Sequence, residues 1–548
     1  MISWFKDFVA LTLIIGVFFG ATVGRYPLAA PDGARYAEIP REMVATGDYI
    51  TPRLNGIKYF EKPPLFYWLQ ATSIKIFGVN EFAVSLVNAL MAFGSVLWIY
   101  SISRKLYGRK TAWLSSFIFA TSSLVFVLTR IVTLDMSLTF FLTGSLGSFL
   151  LATQLPPGTK RTLNLWTMYI LAACAVMTKG LVGIVFLGTI VMVWLTVYGE
   201  WHNLKTYHIF SGSFIFLLIA LPWHILVQLK NPEFFRFYFF EQHFLRYFTE
   251  YADRTQKWWF LPITTLAGLY PWTIFLPQAI IYNFPKHWHE LRQSQTTIFL
   301  FLWIVIIYIF YTFSNSKLIP YILPMFTPTA ILLGNFFAAH WQSFETRSIN
   351  IGFYTLLILN IILVIGAFAA TFILDFNEQA ITKQNLYLAS IIMILNTVVT
   401  ITTYHKHGTA TGCITLIIAT AALWLYFSPI MTTINKQSIK PLITILQQKL
   451  TPDNEVICYG AYYQELPFYL QRIVTVVDYH GELSFGIRHQ DASAWIIDPK
   501  TFWERWQSNR ITYLITDEAN YRNLLSFAPD KMRIIAKLRG RVLVVNTK

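Results

Sequence analysis

Where the first long apolar run of the chain ends, the sequence turns at once to ionisable residues: "AAPDGARYAEIPRE" carries Asp32, Arg35, Glu38, Arg41 and Glu42. Further on, "YFEKPP" sets Glu61 beside Lys62, and "TRIVTLDMS" sets Asp135 at the mouth of another apolar run. Carboxylates so placed can take a proton or hold a cation, and lysine and arginine can hold an anion. The bland alternative is a solvated loop tethered to the membrane by its aromatic residues. Against it, "PDG" is a turn directly after the apolar run, which holds Asp32 near the lipid boundary. Glu61 and Lys62 are clamped between an aromatic residue and a proline, and Asp135 falls on the same side of the membrane. Ionisable groups at membrane depth are costly, so three such sites on one face favour chemistry over solvation.

The elements that must position these residues are membrane spans. Of 548 residues, 55% are hydrophobic, 17% aromatic and only 13% charged, against about 25% charged in soluble proteins. Apolar runs recur near 7–24, 81–103, 111–129, 134–153, 163–178, 180–198, 209–228, 259–281, 296–314, 318–339, 350–374, 385–404 and 409–430. This predicts a polytopic α-helical membrane protein with about thirteen spans. With the N-terminus inside, Arg104, Lys105, Arg109, Lys110, Lys160, Arg161, Lys205, Lys286, Arg292, Arg347 and Lys406 all face the cytoplasm. The opposite short loops carry only Arg130, Lys179 and Lys317, one each. The first run follows Lys6 with no small-residue cleavage signal and reads as a retained anchor. An odd number of spans sends the C-terminus to the outer face, together with the charged first loop. The net charge of +15 is accounted for by these loops and by anionic lipid; no basic, aromatic-interleaved globular segment points to nucleic acid. Cys174 and Cys413 lie in apolar runs, which leaves Cys458 without a partner for a disulfide framework or a cysteine metal site.

The loop over 25–80 predicts two helices lying in the membrane interface and framing a cleft. In the first, Ala34, Ala37, Met43 and Val44 share one face, and Glu38, Arg41 and Glu42 are expected on the solvent face. The second, "PPLFYWLQATSIKIF", opens on prolines and carries very little charge. From 431 to 548 the character changes. Short β-branched runs ("EVICYG", "RIVTVVD", "SAWIID", "ITYLITD", "RVLVVN") alternate with helix-like pieces such as "PKTFWERWQSN", which predicts a small α/β domain. Its role as lid, docking surface or folding cap is open at this point. The sequence shows no internal repeat and no matched pair of broken helices of the kind inverted-repeat transporters carry.

The string "DGARYAEIPREMVATGDYITPRLNGIKYFEKPPLFYWL" closely resembles the first periplasmic loop of bacterial aminoarabinose transferases, which move 4-amino-4-deoxy-L-arabinose from undecaprenyl phosphate to lipid A. These belong to the protein O-mannosyltransferase-like group of polyprenyl-phosphate-sugar glycosyltransferases with the GT-C fold. "LDMSLTFF", "MTKGLVG", "FYFFEQHFLRY" and "SKLIPYILP" follow in the same order, so the likeness covers roughly the first 330 residues, and the later spans and tail agree in architecture. The resemblance implies that Asp32 is the catalytic carboxylate and that Asp135 matches the second-loop aspartate. It implies that Arg35, Tyr59, Lys62 and Tyr321 face the donor phosphate, with Lys179 and Lys317 as further headgroup ligands. It also implies that Glu61 and His243 could meet at a divalent-cation site (zinc, magnesium or manganese), although no cofactor is required by the chemistry.

That chemistry is consistent with the residue types. Departure of a phosphate from an anomeric carbon develops negative charge on the leaving oxygen, which preorganised cations stabilise. A hydroxyl acceptor would need Asp32 as general base; a lipid A phosphate, with its second pKa near about 6, would not. Displacement from the opposite face predicts inversion without a covalent intermediate. Several residues have plainer readings: Lys179 could snorkel at a helix end, and "FFRFYFFEQHFLRYF" could be an interface belt. Arg236, Glu241 and Arg246 within that run would equally line a lipid-carrier cleft. The expected partners are a polyprenyl-phosphate-linked sugar, lipid A or another outer-face acceptor, and membrane lipid, with the chain a monomer in the bacterial inner membrane. The rival readings are transfer to a protein hydroxyl or a core-oligosaccharide sugar, a lipid or polysaccharide transporter, and a structural assembly partner.

Overall fold

The computed structural model describes residues 2–250, 254–344, 346–373, 383–434, 438–528 and 531–546. Every predicted apolar run is helical. Among the described residues, nine helices are long and apolar enough to cross a membrane, or ten if Phe260–Gly268 and Trp272–Asn283, bent by 103°, form one broken span. Val182–Tyr198 is shorter, and the predicted run 111–129 breaks at Ser122 into Arg109–Thr121 and Ser123–Leu128, neither long enough to span alone. The chain is an integral membrane protein. Helix Ile209–Lys230 shows why: Phe210, Phe214, Leu218, Leu221, Ile225 and Leu229 form an exposed apolar stripe at helical spacing that only lipid can cover.

Helices Leu134–Thr153 and Thr159–Lys179 pack as an antiparallel hairpin. The start of the first and the end of the second therefore lie at the same end of the bundle, and Asp135 meets Lys179 there. Both charges suit their helix ends, a carboxylate at the N-terminus and an ammonium at the C-terminus.

The first loop contains helix Asp32–Thr46, a hairpin of β1 (Arg53–Leu54) and β2 (Ile57–Lys58), and helix Leu65–Phe77. The hairpin turns on Asn55 and Gly56, both with positive φ, the pairing that a tight two-residue turn requires. The tail forms one six-stranded sheet, with β3 (Glu455–Tyr459), β4 (Thr475–Val477), β5 (Ile496–Ile497), β6 (Thr512–Asp517), β7 (Met532–Leu538) and β8 (Arg541–Asn546) in the order β5-β4-β3-β6-β8-β7. The first four in that order are parallel; β8 adds antiparallel to β6, and β7 antiparallel to β8. Edge strand β7, "MRIIAKL", was not among the predicted strands; its half-exposed face lacks the apolar density of the others.

Alternation along β3 divides the tail into two layers. Ile457 faces Phe502, Trp506 and Leu524 on one side. Val456 and Cys458 face a core that runs without interruption into Ala34, Ala37, Met43, Leu54, Ile57 and Phe66 of the first loop. Polar contacts fix the same seam. Asn55 Nδ2 donates to the Val474 carbonyl at 2.9 Å, the Val474 N–H donates to Asn55 Oδ1 at 2.9 Å, and Trp495 Nε1 donates to the Asn55 carbonyl at 2.9 Å. Gln490 accepts from the Lys58 N–H at 2.9 Å and donates to the Gly56 carbonyl at 3.0 Å.

Asn55→Leu would leave the buried Val474 peptide groups unpaired and force a γ-branched residue into a left-handed backbone. The expected cost is about 3 kcal/mol, read as tail cleavage at lower protease concentration in detergent-solubilised protein. Wild-type protease resistance would show that the hairpin does not hold the tail.

Candidate functional site

Two charged groups lie side by side at the end of the bundle where Asp135 meets Lys179. The first lines a cleft of about 500 Å³. Its polar floor holds Lys62, Lys179, Gln242, Arg246, Ser316 and Tyr321, and its wall holds Leu181, Val182, Val185, Phe244, Phe248 and Phe310. Lys62 follows directly on the hairpin strands; Lys179 ends its helix; Tyr321 starts the turn that leads into helix Phe326–Ala339. Arg246 follows Arg236–Leu245, a segment wound as a π-helix, a rare conformation often found at functional sites.

The cleft has more positive charge than its own carboxylates balance. Lys179 is paired with Asp135 and stands 4.2 Å from the Tyr321 ring centre. Arg246 Nη1 lies 3.4 Å from Glu61 Oε2 and donates to Gln242 Oε1 at 2.9 Å. Lys62 is buried, and among the described residues it has no ion-pair partner. Burial first, then Arg246 and Lys179, push its ammonium well below the usual lysine range, against the pull of Glu61. Glu61 is the reverse case: against burial, Arg246, then Arg35 and Lys62, hold its carboxyl down to about 2. Three cations against two carboxylates, one wall of the cleft being hydrocarbon, make a receptor for an anion carrying an apolar chain.

The second group is Asp32, Arg35, Tyr59 and Glu482. Asp32 opens helix Asp32–Thr46, and Arg35 one turn on stands with Nη1 3.2 Å from Asp32 Oδ1 and 3.4 Å from the Tyr59 hydroxyl. Arg35 Nη2 pairs with Glu482 of the tail. Arg35 and Glu482 are closed off, whereas the Asp32 side chain is 37% exposed. The guanidinium fork is occupied by two carboxylates and a phenol, and Arg35 and Tyr59 are not among the residues that line the cleft. Lys317 also lies outside the lining; its backbone N–H donates to the Arg254 carbonyl at 3.1 Å.

His243 lines the same cleft, and Glu61 is paired with Arg246. His243 Nδ1 lies 2.6 Å from the Tyr238 carbonyl and Nε2 accepts from the Leu181 N–H at 3.2 Å, so both ring nitrogens are engaged. Burial, then Lys62, lowers its pKa to about 4, which keeps the ring neutral for that arrangement. A Cβ on Gly180 would stand 2.3 Å from His243 Nε2: the imidazole is a strut between the turn after Lys179 and the π-helix. Among the described residues no group of three or more His, Cys, Asp or Glu side chains is placed to hold a metal.

Glu38, Arg41 and Glu42 do not face solvent as expected. Arg41 donates to both Glu38 oxygens at 2.6 Å, Glu42 accepts from the Gly56 N–H at 3.0 Å, and all three side chains are buried. The reason is tail helix Glu465–Leu470, which covers this face. Of the residues outside the predicted set, Arg246 had a signal, as one of three charges in an aromatic run. Arg236 and Glu241, its companions there, border a different concavity with Arg488. Glu482 had none, since "YHGELSF" reads as an ordinary turn.

Comparison with known proteins follows the same outline. The profile of the dolichyl-phosphate-mannose-protein mannosyltransferases matches residues 21–238, and that of the aminoarabinose transferase C-terminal domain matches 442–546. The undecaprenyl phosphate-α-4-amino-4-deoxy-L-arabinose arabinosyl transferase of Shewanella sediminis is 30% identical over 379 residues, covering 65% of this chain and 66% of the relative. A second such transferase, from Pseudomonas fluorescens, is 30% identical over 65% of each chain. The alignments thus span about two thirds of the length of these curated relatives. The crystal structure of ArnT from Cupriavidus metallidurans bound to undecaprenyl phosphate superposes over 100% of this chain and 98% of its own, with a TM-score of 0.85 and 25% identity. An oligosaccharyltransferase from Archaeoglobus fulgidus, at TM-score 0.51 and 12% identity, shares the fold alone. From the first loop to the tail, the chain belongs to the aminoarabinose transferase family of the GT-C glycosyltransferases.

Proposed function

We propose that the protein transfers 4-amino-4-deoxy-L-arabinose from undecaprenyl phosphate to a phosphate of lipid A, at the outer face of the bacterial inner membrane. The observation that carries the reading is the cleft: Lys62, Lys179 and Arg246 at its floor suit a phosphate, and its hydrocarbon wall suits a polyprenyl chain. The relatives' names and the undecaprenyl phosphate bound to the Cupriavidus protein support the same carrier. The basic loops at the opposite end of the bundle support this orientation.

As the bond from the anomeric carbon to the carrier oxygen breaks, the charge on that oxygen grows, and the three cations stabilise it in place. The attacking oxygen is an ionised phosphate of the acceptor, so no proton has to be removed. Asp32, the exposed member of its group, orients that acceptor on the face opposite the carrier. The product is inverted. The mannosyltransferase profile over the first loop keeps a hydroxyl acceptor as the second reading, in which Asp32 would act as base; the match of the tail to an aminoarabinose transferase domain favours lipid A.

Two measurements test this. Expressed in cells lacking their own transferase, the protein adds one aminopentose mass per modified phosphate to lipid A. Asp32→Asn lowers that yield by at least about a hundredfold. Unmodified lipid A alongside altered glycoprotein or core sugar would overturn the acceptor, and wild-type yield from Asp32→Asn would overturn the role of Asp32. In the second, Lys62→Met removes a buried cation that has no ion-pair partner among the described residues. The ligand-free protein gains about 1 kcal/mol of stability, while undecaprenyl phosphate binds about tenfold more weakly and no longer raises Tm as far. Unchanged carrier affinity would place the phosphate elsewhere.

A further inference from the structure

The tail reaches the charged end of helix Asp32–Thr46 with one carboxylate, and several contacts fix that carboxylate in place. After β4 the chain turns through Asp478 and the tight turn Gly481–Leu483 into the short helix Ser484–Ile487. Leu483 and Phe485 are buried. Phe485 stacks on Phe237 with ring centres 3.8 Å apart and meets Phe60 edge-on at 6.0 Å. Gly486 lies so close to β2 that a Cβ there would stand 2.4 Å from the Lys58 carbonyl oxygen. This wedge is therefore seated by apolar packing against both the first loop and the π-helix, independently of any charge.

At its tip, Glu482 accepts from Gln464 Nε2 at 2.5 Å through one oxygen and pairs with Arg35 Nη2 through the other. Arg35 Nη1 faces Asp32 Oδ1, a buried oxygen that has no hydrogen-bond partner among the described residues, and Arg35 Nε has none among them either. A guanidinium beside a single carboxylate ordinarily closes on it with two parallel hydrogen bonds. Here Glu482 draws Nη2 to the opposite side, so the guanidinium is shared and Asp32 is left part exposed.

We propose that Glu482 is a positioning residue for the sugar transfer: by holding Arg35 from the C-terminal domain, it keeps the Asp32 carboxylate open to the acceptor. This rests on the proposed function, and it makes the C-terminal domain part of the reaction centre. Removing the Glu482 charge lets Arg35 swing fully onto Asp32. The carrier cleft, lined by other residues, is untouched.

The test uses the full-length protein in lipid nanodiscs, with undecaprenyl phosphate binding and aminopentose transfer measured on the same preparations. Glu482→Gln binds undecaprenyl phosphate within about twofold of wild type and keeps its donor KM, while kcat falls at least about tenfold; Glu482→Asp restores part of it. Wild-type kcat in Glu482→Gln, or a loss lying wholly in donor KM, overturns the inference. Should Glu482→Gln fail to fold, Gln464→Met loosens the same carboxylate without removing its charge. A kcat loss at unchanged KM supports the inference there, and wild-type kcat overturns it. A wild-type protein that binds no undecaprenyl phosphate, or binds it and transfers no sugar, overturns the proposed function and this inference with it. Wild-type transfer with an unaffected Glu482→Gln overturns the inference alone.

Discussion

The half of this molecule that carries the cleft is organised around buried positive charge. Taking an ammonium out of water costs several kcal/mol even after relaxation, and Lys62 is buried with Arg246 and Lys179 for neighbours. The surroundings offset part of that cost and leave a remainder. Lys179 has Asp135 and the Tyr321 ring, Arg246 has Glu61 and Gln242, and Lys62 has no ion-pair partner among the described residues. A fold that needed only stability would have put an apolar residue at position 62. The remainder is affinity for an anion, and because one wall of the cleft is hydrocarbon, the anion it suits is the head of a lipid.

Glu61 takes on a particular meaning in this setting. It carries Arg246 on the cleft side and feels Arg35 on the other, so it stands between the cations that would receive a leaving phosphate and the Asp32 group. Its carboxyl is held ionised far below the usual range by those cations. The imidazole of His243 braces the backbone through both nitrogens. Glu61 acts as an electrostatic divider between the two charged groups.

Much of this was legible in the sequence, for identifiable reasons. Apolar runs are long-range signals in a bilayer, and they are helical here; Lys179 and Tyr321 sit at run boundaries, Lys62 lies in the charged first loop, and the three meet in the cleft. What failed were judgements about the second side of an element. Glu38, Arg41 and Glu42 form a charged helical face, and the pattern of such a face is the same whether water or another domain lies against it. Glu482 lies about 450 residues from Arg35 in a turn with no periodicity. The Asn55–Gly56 turn is the reverse case: an Asn-Gly pair is a strong hairpin signal, but the strands it joins here are only two residues each, too short to show alternation.

The same contacts explain why the tail is joined to a membrane enzyme at all. Helix Asp32–Thr46 buries a bidentate Glu38–Arg41 pair and the Glu42 carboxylate. In water these would be worth little, and without the tail they would be in water. Its apolar face belongs to a core completed by Ile443, Leu466 and Val476, residues of the tail. Neither face of the helix is satisfied by the membrane bundle alone, so the loop that carries Asp32 and Arg35 takes its shape only when the sheet has docked. The membrane helices can build the carrier cleft from Lys179, Arg246 and Tyr321. The proposed acceptor side needs the last hundred residues of the chain, and Glu482 is the point at which that dependence reaches Arg35 and Asp32.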